Sequence, residues 1–337
     1  MRSDVFYWVL NMSIFGGMLC LIVLLLRRIP GLPKLFVYGL WALPFARLVC
    51  PVGVMGQYNL MEQLVRLGVR RVPAQQILGT DTQITDVVVG ANGLQTSSLY
   101  ESIQVGNFTQ FAEQYSPIRY DSADQNVKLL FGRIPVEATV LEQVMETAAL
   151  VWFTVAVCLV LGALLLYRFS VREGRLAVKT GEYYLSDRVK VPAVYGIFRG
   201  RIVLPPGIRQ QDIPYVLCHE RVHLRRRDNL WRCVAVLVCC VHWFNPICWL
   251  CLRYFFADME LACDAAAVRP LTKDQRKQYS HAILNAALER SLFTSAFGGA
   301  KVSARIRNLL SYRKLTAVSA VAFVVLFIAV AYVLVTN

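Results

Sequence analysis

The stretch PYVLCHERVHLRRRD, Pro214 to Asp228, holds two of the chain's four histidines, His219 and His223, with Glu220 directly after the first. Residues four apart share one face of a helix, so both imidazoles can address a single metal ion while Glu220 is turned aside. This is the H-E-x-x-H pattern: two zinc ligands, plus a carboxylate placed to hold a water and take its proton. The flanking residues suit a helix. Asp212 is expected as its N-cap, Pro214 falls in the first turn, and Arg225, Arg226 and Arg227 suit the negative end of the helix dipole. Asp228 is expected to cap or tether that end.

A catalytic zinc needs a third protein ligand and an open position. Downstream, FFADMELACDAAAV (Phe255–Val268) is helical in composition, with no Gly or Pro. Glu260 and Asp264 lie four apart in it. Glu260 is the candidate third ligand, and Asp264 the candidate acceptor for the free ring N–H of a ligand histidine. The intervening run Leu230–Ala257 is apolar. A single membrane crossing there would separate His223 from Glu260 by about 30 Å, far beyond metal bonds of ~2 Å. Asn245-Pro246 breaks the run near its middle. A helical hairpin that returns Glu260 to the motif helix is therefore expected, either buried in the domain or dipping into the bilayer.

Upstream, VKVPAVYGIFRGRIVLPPGI contains two β-rich runs, Ala193–Phe198 and Arg201–Leu204. They read as a hairpin linked by Arg199-Gly200 and stopped by Pro205-Pro206-Gly207. His242 is expected as a packed histidine at a helix end, because a fourth protein ligand would close the metal site. His281 is expected on the surface. The group that stabilises the transition state is left unassigned; neither His281 nor Tyr279 is favoured.

Composition places this site on a membrane protein. The 337 residues are 56% hydrophobic. Four stretches match the ~20 residues needed to span a bilayer as a helix: Val5–Leu26, Leu35–Met55, Thr147–Tyr167 and Leu315–Val335. From 168 to 314 there are 25 Lys+Arg against 11 Asp+Glu; from 72 to 146 there are 3 against 9. With Arg27, Arg28 and Lys34 between the first two spans, this bias predicts an external N-terminus, an external 56–146 region, a cytoplasmic 168–314 region and an external C-terminus. The basic balance is read as cytoplasmic retention and attraction to anionic lipid; direct nucleic-acid binding is not expected. None of the ten cysteines falls within 56–146, which excludes a disulfide framework there. Cys248 and Cys251 form a C-x-x-C without a second pair, and are expected as a buried helical pair. The stretch Thr294–Ile306 reads as a linker before the last span, with a self-cleavage loop as the alternative.

VYGIFRGRIVLPPGI, CHERVHLRRRD, HWFNPICWL and ELACD occur in that order. Together they resemble the BlaR/MecR family of membrane-embedded antirepressor metallopeptidases. The resemblance implies a gluzincin-type site with one zinc held by His219, His223 and Glu260, and Glu220 as the base. It implies a protease facing the cytoplasm that cleaves a winged-helix transcriptional repressor, with self-cleavage and a homodimer left open. In gluzincins an edge strand before the motif helix aligns the peptide; Arg201, Ile202, Val203 and Leu204 are the expected counterpart. Antibiotic-sensing members add a penicillin-binding domain after the last span. No complete set of S-x-x-K, S-D-N and K-T-G occurs here, so β-lactam sensing is not expected.

The expected fold class is thus a polytopic α-helical membrane protein of four transmembrane helices. Its parts are two spans and a short loop over 1–55, an external loop or small domain over 56–146, a span at 147–167, a cytoplasmic α+β zinc metallopeptidase over 168–314, and a last span over 315–337. The expected role is regulated proteolysis in response to a cue. A constitutive quality-control metalloprotease and a non-catalytic, zinc-held membrane receptor are the alternatives.

Overall fold

The chain's computed structural model describes residues 2–29, 32–50, 118–121, 126–129, 132–135, 138–288 and 302–310. Its first helix, α1 (Arg2–Leu26), contains the expected first span. The second expected span is split over its described residues into α2 (Lys34–Leu40) and α3 (Ala42–Val49), separated at Trp41. Neither is long enough to cross a bilayer. The third span is longer than expected: α4 (Ala138–Arg175) is 38 residues, about 57 Å at the usual helical rise. Helices α1 and α4 are each long and apolar enough to cross a membrane. The fourth expected span, the 51–117 region and most of the 294–306 stretch lie outside the described residues; 302–306 begin the helix α9 (Val302–Leu310).

The chain divides into two compact units, and α1 and α4 each contribute to both. The first unit holds residues 1–15 and 47–152. Within it, β1 (Ile118–Asp121), β2 (Asn126–Leu129) and β3 (Gly132–Pro135) form an antiparallel sheet in chain order. The Phe6 and Trp152 rings meet at 5.7 Å, and the Arg47 guanidinium lies 4.9 Å over Phe15.

The second unit, 16–46 and 153–324, carries the H-E-x-x-H motif. Its sheet contains β4 (Val178–Thr180), β5 (Tyr183–Leu185), β6 (Ala193–Tyr195) and β7 (Arg201–Leu204), in the order β4-β5-β7-β6. The β5–β7 pair is parallel and the other two are antiparallel. The expected hairpin forms, but five residues link its strands rather than two. Gly196 takes φ +97, which a side chain would resist, and ends β6 early. A Cβ on Gly200 would stand 2.4 Å from the Leu224 side chain, so the link is folded tightly against the motif helix.

That helix, α5 (Ile213–Arg226), is the central layer. Its Val216 and Leu217 pack with Ile202 and Leu204 of the sheet. Its opposite side puts Val222 among Cys263, Ala267, Tyr279 and Leu309 of three further helices. These are α7 (Pro246–Ala267), α8 (Lys273–Leu288) and α9. Asp212 occupies the N-cap position, but its side chain makes no capping bond; it accepts from Asn285 at 2.8 Å instead. At the other end, Arg227 is left-handed (φ 55), which reverses the chain into α6 (Asp228–Val241). A non-glycine residue gives up roughly 1–2 kcal/mol for that conformation. The gain is that Asp228 lands back beneath His223.

The expected helical hairpin is present as α6 and α7. Asn245 caps α7 by accepting from the Ile247 N–H at 2.9 Å, and Pro246 opens it. His242 is buried at the end of α6, as expected, and Cys248 and Cys251 are buried in α7. His281 is exposed, also as expected.

Candidate metal centre

Helix α5 carries His219 and His223 on its inner face, each only 5% exposed. Their Nε2 atoms converge to 3.1 Å. Each ring is held from behind through Nδ1. The Nδ1 of His223 faces Asp228 Oδ2 at 2.6 Å. For His219, Nδ1 meets the Tyr279 hydroxyl at 2.8 Å, and that hydroxyl donates to Asp264 Oδ1 at 2.8 Å. Asp264 itself lies 3.2 Å from the ring. Carboxylate partners put the ring proton on Nδ1 and leave the Nε2 lone pairs facing each other. Two opposed lone pairs at that distance repel unless a cation sits between them.

Glu260 of α7 completes the arrangement. Its two oxygens lie 3.5 Å from the Nε2 atoms of His219 and His223 respectively. A tetrahedral ion with bonds of about 2.0–2.1 Å sets its ligand atoms about 3.3–3.4 Å apart, so this donor set fits zinc. Burial would raise the Glu260 pKa; the adjacent His223, His219 and Arg305 outweigh it and hold the carboxyl well below its ordinary range. Arg232 of α6 also donates to its Oε1 at 2.7 Å.

Cys263, close to one helical turn beyond Glu260, brings its sulfur to 3.6 Å from His219 Nδ1. Among the described residues, His219, His223 and Cys263 form a buried group whose donor atoms all lie within 4.8 Å of one another, a second set that could hold a metal. The thiol lies toward the Nδ1 edge of His219, which Tyr279 already occupies, whereas Glu260 faces both Nε2 atoms. Burial opposes ionisation of this thiol, but the His219 and His223 rings outweigh it and lower its pKa.

Arg305 of α9 forks onto Asp264, with Nε and Nη2 each 2.7 Å from an oxygen. Its Nη2 also points at His219 Nε2 from 3.3 Å, and Nη1 lies 3.6 Å from Glu260 Oε2. Burial would raise the Asp264 pKa, but this fork drives it well below the ordinary carboxylate range.

Two contacts tie the segment after α1 to this centre. Tyr38 of α2 donates to Asp228 Oδ1 at 3.3 Å, with Arg226 stacked 4.4 Å from its ring centre and also paired to Asp228. Arg27 forks onto Asp258, at 3.0 and 2.8 Å, and Trp41 Nε1 adds a third donor at 2.9 Å. Asp258 is two residues before Glu260 on α7.

The structure brings together His219, His223, Glu260 and Asp264, and Glu220, next in sequence to His219 on α5, is buried. It does not leave Arg201–Leu204 as an edge. β7 pairs with β6 on one side and with β5 on the other, so its main chain is already used; β6 is the outer strand. Even there, Asn229 donates to the carbonyls of Val194 and Gly196, at 2.5 and 3.2 Å. The supporting roles of Tyr279, Arg305, Arg232 and Cys263 are not signalled by spacing along the chain. Only Asp228, placed at the end of the motif helix, carried a positional hint.

A family description, BlaR1 peptidase M56, matches residues 7–311. The chain is similar to the regulatory protein BlaR1 of Bacillus licheniformis, 29% identical over 127 residues, which are 37% of this chain and 21% of that protein. It is likewise similar to the methicillin resistance mecR1 protein of Staphylococcus aureus, 26% identical over 110 residues, or 32% of this chain and 19% of that one. It therefore matches about a fifth of the length of these curated relatives. With the match running through the helices that bear the histidines, Glu260 and Arg305, the chain belongs to the BlaR1 peptidase M56 family.

Proposed function

We propose that the chain is a membrane-bound zinc endopeptidase of regulated proteolysis, with His219, His223 and Glu260 as zinc ligands and Glu220 as general base. The observation that carries this reading is the convergence of two Nε2 atoms and one carboxylate at tetrahedral spacing. A zinc ion bound there supplies Lewis acidity toward water and a peptide carbonyl. Glu220 takes the proton of the attacking water and returns it to the departing amine, a role worth about 10²–10⁴ in rate. Asp228 and the Tyr279–Asp264 pair hold the imidazoles in the tautomer that offers Nε2. The charge bias supports a cytoplasmic protease and an external 56–146 region. Family membership supports a protein substrate, a cytoplasmic repressor or the chain itself, cut in response to a cue.

The test uses full-length protein in lipid, wild type against Glu220→Gln. Both are expected to hold one zinc per chain, while proteomics of cells carrying each should find a cytoplasmic fragment only with wild type. Stoichiometric zinc with no peptide bond anywhere depending on Glu220 would instead mark a non-catalytic receptor. Broad loss of misfolded membrane proteins would mark a quality-control enzyme.

A further inference from the structure

Helices α6 and α7 contain a run of twenty residues, Cys233 to Leu252, with no Asp, Glu, Lys or Arg. Such a run would suffice to cross a bilayer once, yet it is folded back on itself at His242–Asn245. Each arm is then about ten residues, or about 15 Å, which is half of a ~30 Å hydrocarbon core.

The α7 arm of the run lies against α1, parallel to it. At one end Arg27 pairs with Asp258. Further along, Cys20 meets Cys251. At the tip, a Cβ on Gly17 would stand 3.3 Å from the Asn245 side chain and 3.7 Å from Ile247. Ten residues of α1 separate Gly17 from Arg27, again about 15 Å. The apolar stretch of α1 ends at Leu26. The tip therefore lies near the middle of that stretch, well inside it.

Several polar groups at the tip are satisfied internally, which suits an apolar solvent. Asn245 accepts from Ile247 N–H, its own N–H reaches His242 O at 2.9 Å, and Trp249 Nε1 donates to Trp243 O at 2.9 Å. The outward side chains on the arms are apolar: Leu237 is 37% and Leu250 42% exposed. Charge returns only at the bases, with Arg232 on one arm and Arg253 on the other. Arg253 is exposed, and its side chain is long enough to reach headgroup phosphates.

We infer that the α6–α7 hairpin is re-entrant: it enters the bilayer beside α1, turns at Asn245 near mid-depth, and leaves on the side it entered. The partner of its outer face is the acyl chains of the lipid. The metal centre, just beyond the arm bases, then sits at the membrane surface. This inference rests on α1 crossing the bilayer and not on the catalytic reading.

The test is tryptophan quenching of the full chain in vesicles of phosphatidylglycerol and phosphatidylethanolamine. The lipids carry bromine either near the middle of the acyl chain or near its carboxyl end. Trp243→Phe, Trp8→Phe and Leu250→Trp are compared with wild type. The emission lost in Trp243→Phe is expected to be the part quenched most by deep bromine, and the extra indole of the Leu250→Trp variant should be quenched by lipid as well. Trp8 on α1 reports whether that helix is in the bilayer. Quenching of the Trp8 component with none of the Trp243 component, or quenching of Trp243 by aqueous iodide instead, would overturn the hairpin. A Trp8 component untouched by lipid would overturn it too, through the failure of α1 to cross.

Discussion

At the residue scale, the proposed zinc centre depends on groups outside its donor set. Asp228 holds His223 from behind, and Tyr38 with Arg226 holds Asp228. Removing an outer partner of a ligand histidine typically costs about 10–100-fold in metal affinity. Asp228→Asn is therefore expected to release zinc to a chelator about 10–100 times more readily, and Tyr38→Phe to fall between it and wild type. Equal release from all three would mean that Asp228 does not orient the ring. Arg305 sets a different dependence. Its fork neutralises Asp264, which is fully buried. Arg305→Met strands that carboxylate and is expected to cost about 3–5 kcal/mol of stability at neutral pH. The pH sign follows from linkage. In wild type the Asp264 pKa is depressed, so its contribution is present above the unfolded value of about 3.9 and fades as pH falls through the folded value. In the variant the fork no longer opposes burial, and only His219 and the Tyr279 hydroxyl still favour the carboxylate, so that pKa moves up and acidification relieves part of the stranded charge. Denaturant unfolding of both proteins from neutral pH down to about 4 should show the deficit shrinking.

At the scale of elements, the motif helix and the α6–α7 hairpin were legible because periodicity and breakers act locally. An i, i+4 pair has one geometry in a helix, and Asn-Pro ends one helix while opening the next. The strand order was not legible. Three- and four-residue strands carry too little pattern to say that β5 pairs in parallel with β7 and takes the edge away. Nor was the longer β6–β7 link, which depends on the turn at Gly196 and on where Gly200 and Leu224 meet in space. The division of the second expected span at Trp41 reflects tertiary demand: Trp41 is fully buried, and its indole serves Asp258. The end of α4 gives a test at this scale. A Cβ on Gly174 would stand 2.5 Å from Tyr195 Cβ, with no flexible atom to yield. Gly174→Ala is expected to destabilise the contact with β6 by about 1–3 kcal/mol, despite alanine's better helix propensity. A rise in thermal midpoint would show that the helix end and strand are not held that closely.

At the scale of the molecule, four successive parts of the chain meet at the candidate metal centre: α5, the α6–α7 hairpin, α8 and α9. The segment after α1 braces both arms of that hairpin, α6 through Tyr38 and α7 through the Arg27–Asp258–Trp41 cluster. The histidine pair and Glu260 were readable from residue type and spacing. Arg305 was not, because only folding brings an arginine 41 residues downstream into contact with Asp264. The central claim is the identity of the third donor, since Glu260 and Cys263 both stand close to the histidines. Zinc-edge X-ray absorption of the full-length protein in lipid decides it directly. The expected spectrum has only nitrogen and oxygen neighbours at about 2.0–2.2 Å, two of them imidazoles, and changes on Glu260→Gln but not on Cys263→Ala. A sulfur neighbour at about 2.3 Å that vanishes with Cys263→Ala would contradict the account.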